Sequence, residues 1–289
     1  MTDPLSLALA PLALDFVQRG MIGGALVAVL CGVVGTWVVI RGMAFLGEAL
    51  AHGMLPGVAL ATVAGLPVLV GGALSAMAMS VGISALQRRA RLSYDTSIGL
   101  LFVSMLALGV IVISHSGSFA TDATAILFGD ILAITENDLL LLAAAAAAGL
   151  IIAVVCHRSF VALAFDTRIA SVLGLRPRAA QGALVALVTL AVVASYQAVG
   201  SMLVVGLLLA PAVAAGHWTT RIPTRMLVAC VFGVASVALG LLASWHLATA
   251  AGASVAAAAI VLAGASAAMR AAIGSARRFA RTPAPALSR

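Results

Sequence analysis

The sequence predicts an all-α, polytopic integral membrane protein with about nine (eight to nine) transmembrane helices. Three observations lead there. Of 289 residues, 63% are hydrophobic and only 9% charged, where a soluble domain carries about 25% charged residues. Apolar runs of about 18 or more residues recur along almost the whole chain. The 28 glycines suit helices packed in lipid, where small residues let backbones approach. No segment between the runs is long enough to bury a soluble core. Residues 1–275 therefore read as a single transmembrane domain, and 276–289, containing "RRFARTPAPALSR", as a flexible basic tail.

In order, the apolar segments are roughly 21–40, 44–64, 67–86, 97–115, 138–157, 180–197, 199–217, 226–246 and 252–271. Each is read as helix, because lipid offers no water to satisfy an open backbone. The first is preceded by "MTDPLSLALAPLAL", which lacks the positive start of a signal peptide and runs straight into the span. It is read as a retained, interfacial N-terminus. The fourth opens beside Asp95, whose carboxylate caps the helix and suits its dipole. The fifth contains the alanine run 143–148, a strong helix former. Between the fifth and sixth, 160–180 is too polar to span.

The arginines set the orientation. All sixteen basic residues are arginine, and they sit at the ends of apolar runs rather than in a solvated patch, so the +7 charge does not indicate nucleic acid. With the loop at 87–96 in the cytoplasm and strict alternation, fifteen fall inside and only Arg19 outside, predicting N-out/C-in. Asp3, Asp15, Asp122, Asp130, Glu136 and Asp138 then fall outside, and Asp95 and Asp166 inside. An acidic outer face raises the local concentration of cations; ordinary solvated loops account for it equally.

Within "RGMAFLGEALAHGMLPGVAL", residues 41–60, Glu48 and His52 stand in an otherwise nearly apolar run. At i, i+4 they share one helix face. An ionisable group inside a span is costly unless it is paired or faces a cavity, and carboxylate with imidazole suits a divalent transition metal. The alternative is a structural Glu–His hydrogen bond. Enzyme signatures are missing: "EALAH" is not HExxH, and neither GxSxG nor GxxxxGK[ST] occurs. Cys31, Cys156 and Cys230 lie far apart without CxxC or Cys–His spacing and read as small buried hydrophobes.

The stretch "FVALAFDTRIASVLGLRPRAA", residues 160–180, forms a short amphipathic helix over 162–175 with Leu163, Ile169, Leu173 and Leu175 as its apolar positions, ended by Gly174 and Pro177. Flanked by Arg158, Arg176 and Arg178, it suits docking into a partner's groove or resting on lipid.

"MAFLGEALAHGMLPGVALA" closely resembles the second-helix signature of the zinc/manganese/iron permeases of ABC importers. "SYDTSIGLLF" (93–102), "ILFGDILAIT" (126–135), "AFDTRIASVLGL" (164–175) and "VGSMLVVGLLLAPAVAA" (199–215) resemble further motifs of that family, in its order. The resemblance covers about residues 20–270. It implies a permease in a bacterial cytoplasmic membrane that pairs with a second copy of itself. Separate ATP-hydrolysing subunits dock beneath, and an external solute-binding protein delivers the ion. No cofactor is held permanently. Glu48 matches the family's acidic metal residue, usually Asp, and His52 its histidine. Asp166, Ala170, Leu173 and Gly174 fall in the part that meets the ATPase.

One departure bears on the metal. In "SWHLATAAGA", 244–253, Ala248 stands where the family has an Asp and Ala250 where it has a Pro. His246 is a candidate replacement ligand, although two residues apart is roughly 200° around a helix. A site shifted toward nitrogen ranks zinc ahead of manganese. His115, His157 and His217 sit at span ends and need no special account. The rival readings are a gradient-driven secondary transporter, which inverted repeats would favour, and a permease for a larger metal chelate.

Overall fold

The computed structural model describes residues 14–89, 92–116, 129–166, 170, 172 and 174–279. The interfacial N-terminus before Leu14, Asp122, Ile169, Leu173 and the tail beyond Phe279 lie outside them. No strand occurs among the described residues. The helices are α1 (Asp15–Ile40), α2 (Ala44–Gly53), α3 (Leu55–Ala64), α4 (Val68–Arg89), α5 (Tyr94–Ser116), α6 (Glu136–Val155), α7 (His157–Phe165), α8 (Pro177–Gly216), α9 (Ile222–Leu247) and α10 (Ala251–Phe279). Eight segments are long and apolar enough to cross a membrane, α2 and α3 counting together as Ala44–Ala64.

The seventh expected segment, 199–217, is present but short. Inside α8, Gly200 takes φ 73° and ψ 167°, a conformation open only to glycine. It separates the arm Pro177–Tyr196 from the arm Leu203–Gly216. Neighbouring contacts show that the chain turns back there. Gln181 bonds Arg41 at the end of α1, and Gly149 of α6 packs between Leu30 and Leu187. Gly200 abuts Gly129, two residues from Ile131, which lies on Gly20 near the start of α1. The second arm then brings the Leu208 carbonyl against Gly35, near the end of α1 where it began.

The same reasoning orders every span. Residues 41, 89, 92–94, 157–166, 174–177, 216–222 and 279 share one end of the bundle, and 15, 65, 129–136, 200 and 248 the other. All described arginines except Arg19 lie at or near the first end, Arg270 in the last three turns of α10. Asp15, Asp130, Glu136 and Asp138 lie at the opposite end, and Asp95 and Asp166 with the arginines.

Helix α8 is the hub, touching α1, α2, α4, α6, α7, α9 and α10, while α1 packs between α6, α8 and α9. In the most apolar stretch of α1 72% of residues are buried inside the chain, against 17% in α5, so α5 faces outward to lipid or a partner. Close approach depends on absent side chains. A Cβ on Gly35 would collide with the Leu208 carbonyl, and Cβ atoms on Gly57 or Gly71 would each strike the other's backbone carbonyl. These contacts bring backbones together where no larger residue fits.

Local signals start and stop the helices. Thr135 and Asp138 form a reciprocal capping box at α6. At α5 the cap is Ser93, whose Oγ accepts the Thr96 N–H at 3.1 Å. Asp95 therefore sits one position inside the helix, favoured by the dipole rather than acting as the cap. Ala248 ends α9 at φ 51°, the one non-glycine residue at positive φ among those described, a conformation costing about 1 kcal/mol for alanine.

Candidate metal site

Glu48 and His52 occupy successive turns of α2 on the face opposite buried Leu46 and Leu50. His52 Nε2 lies 2.9 Å from Glu48 Oε1. A carboxylate oxygen only accepts, so Nε2 donates and, in the neutral imidazole, the lone pair rests on Nδ1. The unshared donors are then one nitrogen and Glu48 Oε2. The pair is partly open: 20% of the His52 side chain and 40% of the Glu48 side chain remain exposed. Exposure of a carboxylate inside a membrane-crossing segment is costly against lipid and reasonable against a water-filled path.

Three features shape the helix that carries this pair. Phe102 of α5 meets the His52 ring edge-on, centroids 5.7 Å apart, and packs on Phe45 at 5.4 Å. Gly47, one residue before Glu48, seats the Leu208 side chain from the second arm of α8. Pro56 has no N–H, so the His52 carbonyl loses its i+4 donor and the span breaks at Met54 between α2 and α3. Ser75 of α4 donates to the Gly53 carbonyl at 2.7 Å across that break. The signals were legible as an X–Pro break and as aromatics, but nothing in the sequence places Phe102 beside His52.

His246 stays apart. It is exposed near the end of α9, and among the described residues no group of three His, Cys, Asp or Glu comes together. Within the described residues, Glu48 and His52 thus stand together without a third such side chain.

Arg41, seven residues before Glu48, joins the end of α1 to α7 and α8. Its Nη1 donates to the Leu163 carbonyl in α7 and its Nη2 to Gln181 Oε1 at 3.2 Å in α8. Burial pulls the Arg41 guanidinium below its ordinary range. Beside it, fully buried Trp37 meets Phe160 and His157 edge-on at 5.3 and 5.5 Å. These contacts explain why the helix begins at His157 and not at 162. It ends at Phe165, because Asp166 is extended (φ −160°, ψ 132°). A separate turn follows, with the Asp166 carbonyl accepting from the buried Ala170. Leu175 N–H then closes on the Ala170 carbonyl around Gly174 at φ 71°, a glycine C-terminal cap. The expected helix over 162–175 is therefore two pieces, of which Phe165 and Val172 are 80% and 86% exposed.

Residues 13–270 match the model of the ABC 3 transport family. The chain belongs to that family. It is a transport component, not an enzyme. Among relatives in the family, "Manganese transport system membrane protein MntC" of Listeria innocua is 33% identical over 83% of this chain and 85% of that protein. The "Probable iron transport system membrane protein" of Haemophilus influenzae is 31% identical over 86% of this chain and 91% of that protein. Of solved structures, "PsaBC from Streptococcus pneumoniae in complex with Fab" superposes with a TM-score of 0.80 at 30% identity, covering 91% of this chain and 95% of that chain.

Proposed function

We propose that the chain is the membrane permease of an ATP-driven importer of divalent transition metal, with Glu48 and His52 as ligands on the path. The observation that carries this reading is the partly open Glu48–His52 pair within a membrane-crossing segment of an ABC 3 family member. The metal is cargo, so few ligands and a weak grip suit it better than a closed structural site. A second copy of the chain, placing its own pair opposite, would complete the shell.

Manganese now ranks ahead of zinc. The preference for zinc leaned on His246 joining the pair, and it stands apart from them. One carboxylate and one imidazole suit manganese as well as zinc, and the names of relatives, manganese or iron, favour manganese. Family membership favours ATP over an ion gradient as the driving force. Transport by alternating access follows if the ATPase subunits press on the exposed Phe165 and Val172 and move α2 through Arg41. An external solute-binding protein would deliver metal to the opposite, acidic end.

Two measurements test this. In liposomes, the chain assembled with its ATPase and binding protein should hydrolyse ATP several-fold faster with manganese than without metal, and faster than with zinc. Uptake driven by a proton gradient without ATP would overturn the assignment. Single cysteines at 129–136 should react with an impermeant reagent from outside, and cysteines at 87–89 or 275–279 should not, because the arginine-rich end is placed in the cytoplasm. Outside labelling at 87–89 would invert the topology.

A further inference from the structure

Between α4 and the first arm of α8 runs a groove of about 720 Å³. Its apolar walls include Met77 and Val81 on one side and Ala186 and Leu190 on the other, with Gly182 and Arg89 at one end. Its hydroxyls are turned inward on the protein. Ser80 meets Thr189 at 2.8 Å, and Ser84 donates to the Ser80 carbonyl at 3.1 Å. The groove therefore offers a ligand hydrocarbon surface along its length and charge only at its arginine end.

At Ser84 and Gly182, which line both, the groove meets a larger cavity of about 1440 Å³. That cavity is walled by Arg41, Arg176 and Arg178 against a single carboxylate, Asp95. Arg41 is occupied by Leu163 and Gln181. Arg89, Arg176 and Arg178 form no ion pair with any described carboxylate. An apolar trough at membrane depth that opens into an arginine-walled space at the membrane's edge has the polarity profile of one ligand.

We infer that this groove and cavity bind an anionic phospholipid, an acyl chain lying along α4 and α8 and the phosphate held by Arg89, Arg176 and Arg178. Basic pockets between membrane helices recognise lipid headgroups in this way, and guanidinium suits phosphate oxygens. From Ala73 to Arg89 the groove follows about 24 Å of helix, more than one leaflet's share, about 15 Å, of the hydrocarbon core. A free phosphate would leave the trough empty. A symmetric second copy would bring its own arginines to the same level, like against like.

The test is native mass spectrometry of the full-length chain with its ATPase, titrated with phosphatidylglycerol and phosphatidylcholine of identical acyl chains. Phosphatidylglycerol should be retained at least about tenfold better, since basic side chains at the membrane edge favour an anionic headgroup. The triple variant R89Q/R176Q/R178Q should lose that preference, and R89K/R176K/R178K, which keeps the topogenic charge, should retain part of it. Gly182→Leu should lower retention of both lipids; a Cβ there meets no neighbouring atom, so the change fills the groove without disturbing the core. Equal retention of the two lipids by the unmodified chain, or an unchanged preference in the glutamine variant, overturns the inference. Displacement of the lipid by inorganic phosphate alone would make this a soluble-anion site, and a Val81→Cys crosslink between two copies would make it a subunit interface. Either result also overturns it.

Discussion

His52→Ala is expected to reduce metal uptake to background at matched membrane levels, a loss of at least about 100-fold, the upper range for losing even a supporting partner of a metal ligand. Glu48→Asp should keep much of the activity, because it retains a carboxylate on the same helix face. Glu48→Gln should lose most of it. A purely structural hydrogen bond between the two side chains, 2.9 Å long here, predicts the opposite order, since Gln preserves reach and an acceptor oxygen while Asp shortens it. Membrane abundance separates the cases further. Removing an ionisable group from a span relieves a penalty of about 2.5–3.5 kcal/mol on insertion scales, so Glu48→Gln should insert at least as well as the parent chain. Glu48→Gln that transports like the parent would end the ligand assignment.

Arg41→Ala should separate ATP hydrolysis from transport. The guanidinium ties the Leu163 carbonyl to Gln181 only seven residues before Glu48. Hydrogen bonds from a charged group are worth about 1.5–3 kcal/mol each, enough that their loss should lower uptake about tenfold or more while basal ATPase activity of the complex persists. Arg41→Lys, with a single charged head in place of a fork, should fall between. Leu173→Asp, outside the described residues, carries the same expectation of uncoupling, by disturbing the docking face. If uptake and ATPase activity fall together in Arg41→Ala, the residue braces the fold and does not transmit.

The membrane spans were legible because lipid enforces a simple rule, and each expected apolar segment corresponds to a helix in the structure. The ends of the bundle on which the arginines fall followed from the same rule. What sequence could not supply was tertiary. The helix that begins at His157 does so because Trp37, more than a hundred residues earlier, is buried against His157 and Phe160. Arg41 read as a topogenic charge, because only the fold shows its two partners. Glu48 and His52 were visible as an i, i+4 pair, whereas Phe102 on His52, Ser75 on the Gly53 carbonyl and Leu208 on Gly47 come from three other helices. His246 was named from its place in a motif, and it lies exposed near the end of α9.

The turn at Gly200 has a consequence for how the chain is made. The arm Leu203–Gly216 is about 21 Å long at 1.5 Å per residue, short of a hydrocarbon core of about 30 Å, and it carries Pro211 within it. Such a segment is a poor candidate for insertion on its own as it leaves the ribosome. Its anchors are made later: Arg225, from the helix that follows, bonds the Ala212 carbonyl through Nε and Nη2 at 3.3 and 3.2 Å, and Ser266, from the last helix, bonds the Ala214 carbonyl at 3.2 Å. Final placement of this arm, and with it the Leu208 side chain seated on Gly47 of α2, therefore waits until the C-terminal helices have been synthesised, so this part of α2 gains its neighbour only once translation is nearly complete.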